Sequence, residues 1–321
     1  MMADEPGAPT LSPDRADQNF LRDVITGLSQ PRRAIPGKYL WDETGSILFD
    51  RIGSSPDYYL TRREIGLLGQ VAGEIAEVVG ENAVLVEFGS GASHKVRILL
   101  DHLHACRRYV AVDISQEYLQ AAAARIAADY PDLDVVPVHG DYTQPIVLPA
   151  SAQDGPVLGF FPGNTIGNFD ASGVIGFLHR VQQALGPSWF LLGIDPNDDR
   201  DRLLRAYGGD GSLLAQFHEN LLTRLARDLG AELSLEDFRH QARVVDDPLH
   251  VEAHLVAQRD TVIRIGPHSF PFAAGESIHT DNSFKYTPDA FGRLASQAGW
   301  RPVHCWTDKE TLFSLHLLRF D

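Results

Sequence analysis

The segment Val84-Leu85-Val86-Glu87-Phe88-Gly89-Ser90-Gly91 constrains this chain more than any other. An apolar run closing on two glycines reads as a buried strand and a tight turn, since glycine accepts positive φ and has no Cβ to keep a ligand off the backbone. Ser93, Lys95 and the apolar spacing over 96–103 predict a helix starting just beyond it. The turn lacks both the third glycine of a dinucleotide fingerprint and the Gly-Lys-Ser/Thr of a phosphate loop. Glu87, aimed into the turn, would repel a diphosphate and tolerate a neutral or cationic nucleoside.

A second apolar run, 109–112, ends on Asp113, 24 positions past Gly89 (113 − 89), where an acid can accept from ribose hydroxyls. A third, 135–138, leads into Gly140-Asp141-Tyr142, a carboxylate for an adenine amino group and a ring for stacking. Acids at three strand ends, with no phosphate-binding group, suit S-adenosylmethionine, an adenosine carrying a sulfonium and an ammonium. The candidate cofactor residues are Glu87, Gly89, Ser90, Gly91, Asp113, Asp141 and Tyr142.

The chain has 321 residues and 44% hydrophobic content, ample for a sizeable core, and its net charge of −15 argues against a nucleic-acid substrate. No run approaches the ~18 apolar residues of a membrane span, and the acidic N-terminus lacks the features of a signal peptide. Residues 1–16 are expected to be disordered. Cys106 and Cys305 are too few for a disulfide framework or a cysteine zinc site, which points to a reducing cytoplasm. The histidines are scattered, His102 and His104 face apart on a helix, and no metal site is expected. A monomer is expected.

Taken in order, a helical pattern covers 19–27, Pro31 and Pro36 break the chain after it, and an aromatic segment at 38–46 precedes a short helix. A turn carrying Tyr58 and Tyr59 leads to Thr61 and Glu64, which fit a capping box opening a helix to about residue 79. Strands and helices alternate from Val84, through an apolar run at 157–161, the loop 162–169 and a helix at 173–185, to a strand at 189–194. That rhythm implies parallel pairing, right-handed crossovers and a ligand at the carboxyl edge of the sheet. Beyond Asp198, helices at 203–207 and 213–229 precede period-two strands at 242–245, 250–257 and 261–265, and a helix at 288–298 precedes strands at 303–306 and 313–318. The expected organisation is a substrate lobe begun by 17–65, a core of 66–197, an inserted α+β substrate lobe at 198–286, and a return to the core at 287–321.

Five motifs in this order resemble the histidine-specific S-adenosylmethionine-dependent methyltransferases, which make Nα-trimethylhistidine (hercynine) for ergothioneine biosynthesis. They are Lys38-Tyr39-Leu40-Trp41-Asp42, Pro56-Asp57-Tyr58-Tyr59-Leu60-Thr61-Arg62, Glu87-Phe88-Gly89-Ser90-Gly91, Phe161-Pro162-Gly163-Asn164-Thr165-Ile166-Gly167-Asn168 and His279-Thr280-Asp281-Asn282-Ser283-Phe284-Lys285-Tyr286. The resemblance implies an α/β fold with a Rossmann-like class I methyltransferase sheet, seven strands with the last antiparallel, and an α+β substrate lobe. It implies that Tyr58, Asn168 and Tyr207 bind the substrate's carboxylate and amino group, Tyr58 and Asn168 also orienting the reacting nitrogen. It further implies that Asp281 and Ser283 grip the imidazole and that Lys95 joins the cofactor side.

Three departures fall at the side-chain end of the pocket: Trp41 for the usual Tyr, Asp281 for Glu, and Ala253 for Met in Glu252-Ala253-His254. A shorter acid and a vacated methionine leave room for a larger ring, so α-N-methylation of tryptophan or a derivative stands as an alternative to histidine. A methyltransferase-like binding subunit without activity is a second alternative. Methyl transfer itself is an in-line displacement, and its acceleration should come from alignment rather than from a dedicated base.

Overall fold

The computed structural model describes residues 13–91 and 94–321. Residues 1–12, most of the stretch expected to be disordered, and Ser93, expected at a helix start, lie outside them. The first helix, α1 (Pro13–Leu28), precedes a 3-10 turn (Gly37–Leu40), α2 (Glu43–Gly53) and α3 (Tyr59–Val79). The Asp42 side chain caps α2 by accepting from Gly45 N at 2.8 Å. The expected capping box is a misreading: α3 starts at Tyr59, and Tyr58, its N-cap, makes no side-chain cap. Thr61 and Glu64 therefore lie within the helix, and Glu64 faces the interior with no exposed surface. The boundary expected at 65/66 falls inside this continuous helix.

The alternation continues as β1 (Val84–Phe88), α4 (His94–Leu100), β2 (Arg108–Asp113), α5 (Gln116–Asp129), β3 (Asp134–His139), β4 (Val157–Phe161), α6 (Ala171–Leu185) and β5 (Ser188–Ile194). Every residue of β1 and β4 is buried, as expected for parallel strands covered on both faces. Then come α7 (Arg200–Tyr207), α8 (Leu213–Leu229), β6 (Phe238–Asp246), β7 (Leu249–Ala257), β8 (Thr261–Ile265), β9 (His268–Phe272), β10 (Ser277–Phe284), α9 (Pro288–Gln297), β11 (Arg301–Thr307) and β12 (Ser314–Phe320). Among the described residues no helix is long and apolar enough to cross a membrane.

The large sheet has seven strands in the order β3-β2-β1-β4-β5-β12-β11, and β12 runs antiparallel to both its neighbours. This is the Rossmann-like class I methyltransferase sheet that the motifs implied. The chain winds outward from β1 in one direction and from β4 in the other, so a crevice opens at the carboxyl ends of that central pair. One face packs on α3 and the lobe; the other is an aromatic core in which Phe161 stacks on Phe177 with ring centroids 4.5 Å apart.

The second lobe is a three-stranded antiparallel sheet, β10-β7-β6, beside a β8–β9 hairpin. Strands β9 and β10 escaped the sequence reading, because Pro271 sits inside one and the other carries polar residues toward the pocket. The N-terminal segment joins this lobe through a parallel bridge of Ala34 to His279. The lobe thus stands over the carboxyl edge of the large sheet.

Candidate functional site

The turn after β1 has the backbone its glycines foretold, with φ of +73° at Gly89 and +46° at Gly91. Gly89 N donates to Val112 O at 2.8 Å, and Gly91 N donates to Asp113 Oδ2 at 3.1 Å. Asp113 Oδ1 accepts from Ser115 N at 2.9 Å, so one carboxylate ties the turn to the end of β2. Burial pushes the Asp113 carboxyl up, and the backbone N–H donors oppose it. Glu87 is 1% exposed and accepts from the Tyr109 hydroxyl. Burial pushes its carboxyl up to about 8, against the hydrogen bond from Tyr109 and the pull of Lys95, so at neutral pH it is mostly protonated unless a cation joins it. The Tyr142 ring lies 3.6 Å from the place a Cβ would take on Gly89. Asp141 is not brought into the cavity: its Oδ1 accepts from Thr143 N at 2.8 Å and from Thr143 Oγ1 at 2.5 Å, a local turn that holds the carboxylate back. Lys95 lines the cavity, but its ammonium sits 2.5 Å from Glu64, which also accepts from Gly163 N at 2.8 Å. Glu64 and Lys95 together clamp the start of the loop after β4.

The other predicted residues meet in the same cavity, of about 540 Å³, which Glu87, Gly89, Ser90, Gly91, Asp113 and Tyr142 also line. Tyr58, Asn168, Tyr207, Asp281, Ser283, Ala253 and Trp41 all line it, and the Tyr207 and Ser283 hydroxyls are 2.9 Å apart. Burial pushes the Tyr58 and Tyr207 hydroxyls well above the ordinary tyrosine value, so both stay neutral phenols. Trp41 is edge-on to Phe49 at 4.8 Å and to Phe217 at 5.2 Å, both core aromatics that also line the cavity. Trp41 therefore both packs against the core and lines the cavity.

Asp281 stands opposite Ala253 across the β7–β10 pair, beside a bulge between His279 and Asp281. Its one described hydrogen bond is from Asn282 N at 2.9 Å, and burial pushes its carboxyl up to about 7. A Cβ on Gly37 would come within 3.0 Å of Asp281 Oδ1, so the N-terminal turn lies directly against this acid. His218, also lining the cavity, stacks on His240 at 4.7 Å and places Nδ1 3.0 Å from Thr280 Oγ1. Burial drives His218 well below the ordinary histidine value, which keeps it neutral.

Behind Tyr207 and Ser283 lies a polar cluster that sequence reasoning missed. Lys285 Nζ donates to Asp195 Oδ2 at 2.7 Å, to Ser283 Oγ at 2.8 Å and to the Tyr207 hydroxyl at 2.9 Å. Asp195 also accepts from the Tyr59 hydroxyl at 2.7 Å, and its own N–H donates to Asn164 Oδ1 at 2.9 Å. Burial pulls Lys285 below the ordinary lysine value, and the Asp195 carboxylate opposes that pull. A signal was available, since Asp195 ends the fifth strand as Asp113 ends the second. Asn164 takes the left-handed conformation with φ of +58° and bends the loop so that its amide reaches this cluster.

Chemically, the turn end offers a close backbone and two carboxylates to a neutral or cationic nucleoside. The opposite end offers phenol and amide groups to an amino acid, with aromatic faces for a cationic nitrogen. Residues 20–320 match the family described as histidine-specific methyltransferase, SAM-dependent. A histidine N-alpha-methyltransferase from Mycolicibacterium smegmatis is 35% identical over 96% of this chain and 97% of its own length. Ergothioneine biosynthesis protein 1 from Neurospora crassa is 30% identical over 93% of this chain and 35% of its own length. Among solved structures, the CcbJ methyltransferase of Streptomyces caelestis is similar at 16% identity and a TM-score of 0.46, over 79% of this chain and 89% of that one.

Proposed function

This chain belongs to the histidine-specific, S-adenosylmethionine-dependent methyltransferase family, and from that premise we propose that it trimethylates the α-nitrogen of L-histidine to hercynine, a step toward ergothioneine. The observation that carries the reading is that Tyr58, Asn168, Tyr207, Asp281 and Ser283 share one cavity with the glycine turn and Asp113.

The bound cofactor supplies an electrophilic methyl group on a sulfonium. Gly89, Ser90, Gly91 and Asp113 would hold its nucleoside, and Glu87 would face its cationic end. Tyr58 and Asn168 orient the amino group, and Tyr207 holds the carboxylate, so the nitrogen lone pair is presented along one line. Tyr58 is no general base, because burial keeps its proton on. The ammonium proton is therefore lost to water, and what these residues contribute is alignment and a polar lining. Phe49, edge-on to Tyr58 with ring centroids 6.1 Å apart, gives a growing methylammonium an aromatic face. Asp281 accepts from a ring N–H. The two cysteines are unpaired, in keeping with a reducing cytoplasm, and the enzyme is read as a monomer.

Ala253 facing Asp281 supports a second reading, a pocket for a larger aromatic side chain. Calorimetric titration of histidine and of tryptophan, with S-adenosylhomocysteine present, together with mass spectrometry of the products, separates the two. Histidine binding with a triply methylated product supports the first reading. Weak histidine binding with turnover of tryptophan would replace it.

A further inference from the structure

Lys285 does not line the cavity, and its side chain is 1% exposed, yet two of its three hydrogen bonds run to hydroxyls that do. Donor counting shows what this arrangement does. Ser283 Oγ accepts from Lys285 Nζ at 2.8 Å and from Asn164 Nδ2 at 3.3 Å, which fills both its lone pairs. The Ser283 hydroxyl hydrogen must then be the one shared with Tyr207, at 2.9 Å. The Tyr207 oxygen accepts from Ser283 and from Lys285. Its own hydrogen is given to no acceptor of the cluster: the hydroxyl's described hydrogen bonds are to Ser283 and Lys285, and Asp195 takes Lys285 and the Tyr59 hydroxyl on Oδ2 and Asn197 N on Oδ1 without meeting Tyr207. Tyr207 lines the cavity, which leaves that hydrogen available to a ligand there.

We propose that Lys285 is a positioning residue for the substrate's carboxylate: with Asn164 it saturates the two hydroxyls with donors, so that Tyr207 can only donate toward the ligand. The inference rests on the amino-acid reading of the pocket and deepens it. A hydroxyl with both roles open would serve a carboxylate or an ammonium alike; one locked as a donor and backed by a buried cation selects the anion. The cation also stays out of the ligand's reach. An exposed lysine there would compete with the methyl acceptor as a nucleophile, whereas Lys285 is held in three hydrogen bonds and one face of its ammonium lies over the Tyr207 ring at 4.4 Å.

The test compares histidine with histamine, which is the same molecule without the carboxylate, in steady-state methylation by the full-length enzyme. Wild type should favour histidine, chiefly through KM. Lys285→Met combined with Asp195→Asn, which removes both buried charges together, should cut kcat/KM for histidine about 10- to 100-fold and change histamine by less than about 3-fold. Tyr207→Phe should produce the same selective loss without touching the ion pair, and it decides the matter if the charge-free variant no longer binds S-adenosylhomocysteine. A loss shared equally by the two substrates would mean the cluster only supports the fold, and a wild type indifferent to the carboxylate would also overturn the proposal. Should the enzyme prefer another amino acid, the comparison runs with that acid and its decarboxylated amine, so the choice of histidine can fail while this inference stands.

Discussion

Replacing Glu64 by glutamine tests whether one buried carboxylate holds the site's central loop. Glu64 has no exposed surface, receives Gly163 N at 2.8 and 3.0 Å on its two oxygens, and pairs with Lys95 at 2.5 Å. Glutamine keeps the shape but has one acceptor oxygen, so the amide NH₂ must face either the Gly163 N–H or the ammonium. The variant loses a charge-assisted hydrogen bond, about 1.5–3 kcal/mol, and orphans a buried donor, about 1–3 kcal/mol more. The Lys95 side chain is 19% exposed and can partly rehydrate through the cavity, which reduces the sum to about 2–4 kcal/mol. In urea unfolding this should lower the midpoint by about 1 M with little change in slope. Calorimetry should show weaker binding of both S-adenosylhomocysteine and the amino acid, because loop 162–168 borders both ends of the cavity. A midpoint shift below about 0.2 M with unchanged affinities would refute the clamp.

Three further outcomes are expected of the site. Asp113→Ala should weaken S-adenosylhomocysteine binding by more than about tenfold, since the turn loses its tie to β2 and the ligand its acceptor; unchanged affinity would place the cofactor elsewhere. Asn168→Ala should leave cofactor affinity nearly intact and damage amino-acid affinity, and the reverse result would invert the proposed division of the cavity. The third concerns Glu87, whose carboxyl burial raises to about 8. An unfolded glutamate ionises near about 4.3, so between those values the native state holds a proton the unfolded chain lacks, and stability should fall as pH rises through that window. Cofactor binding has the opposite sign: its cationic end favours ionised Glu87, so affinity should rise toward pH 8 with release of a proton. Titrations in buffers of different ionisation enthalpy measure that release, and Glu87→Gln should abolish it.

The large sheet was legible because buried parallel strands write their burial into unbroken apolar runs, and the glycine turn because only Gly89 and Gly91 suit its backbone. Most of the candidate site was legible through motif resemblance, and all but Asp141 of those residues reach the cavity. What stayed hidden depends on partners far apart in the chain. Thr61 and Glu64 look the same as a capping box or as interior positions of a helix whose N-cap is Tyr58. Asp195 is marked by its place after β5, but nothing local to Lys285 shows that the two will meet. Asp141, expected at the cofactor, is outside the cavity lining, and its Oδ1 accepts from Thr143, two residues away.

The close approach of Gly37 to Asp281 has a bearing on how such pockets diverge. Any side chain at position 37 would press on the acid from outside the large cavity, with a Cβ 3.0 Å from Oδ1 and 3.1 Å from Thr280 O. On the proposed reading, in which Asp281 meets the ring, the acid's position depends on a glycine outside the cavity lining. Across related chains, the bulk tolerated at this position and the length of the acid should vary together, and a search for new substrates confined to the pocket lining would leave out one of its most sensitive positions.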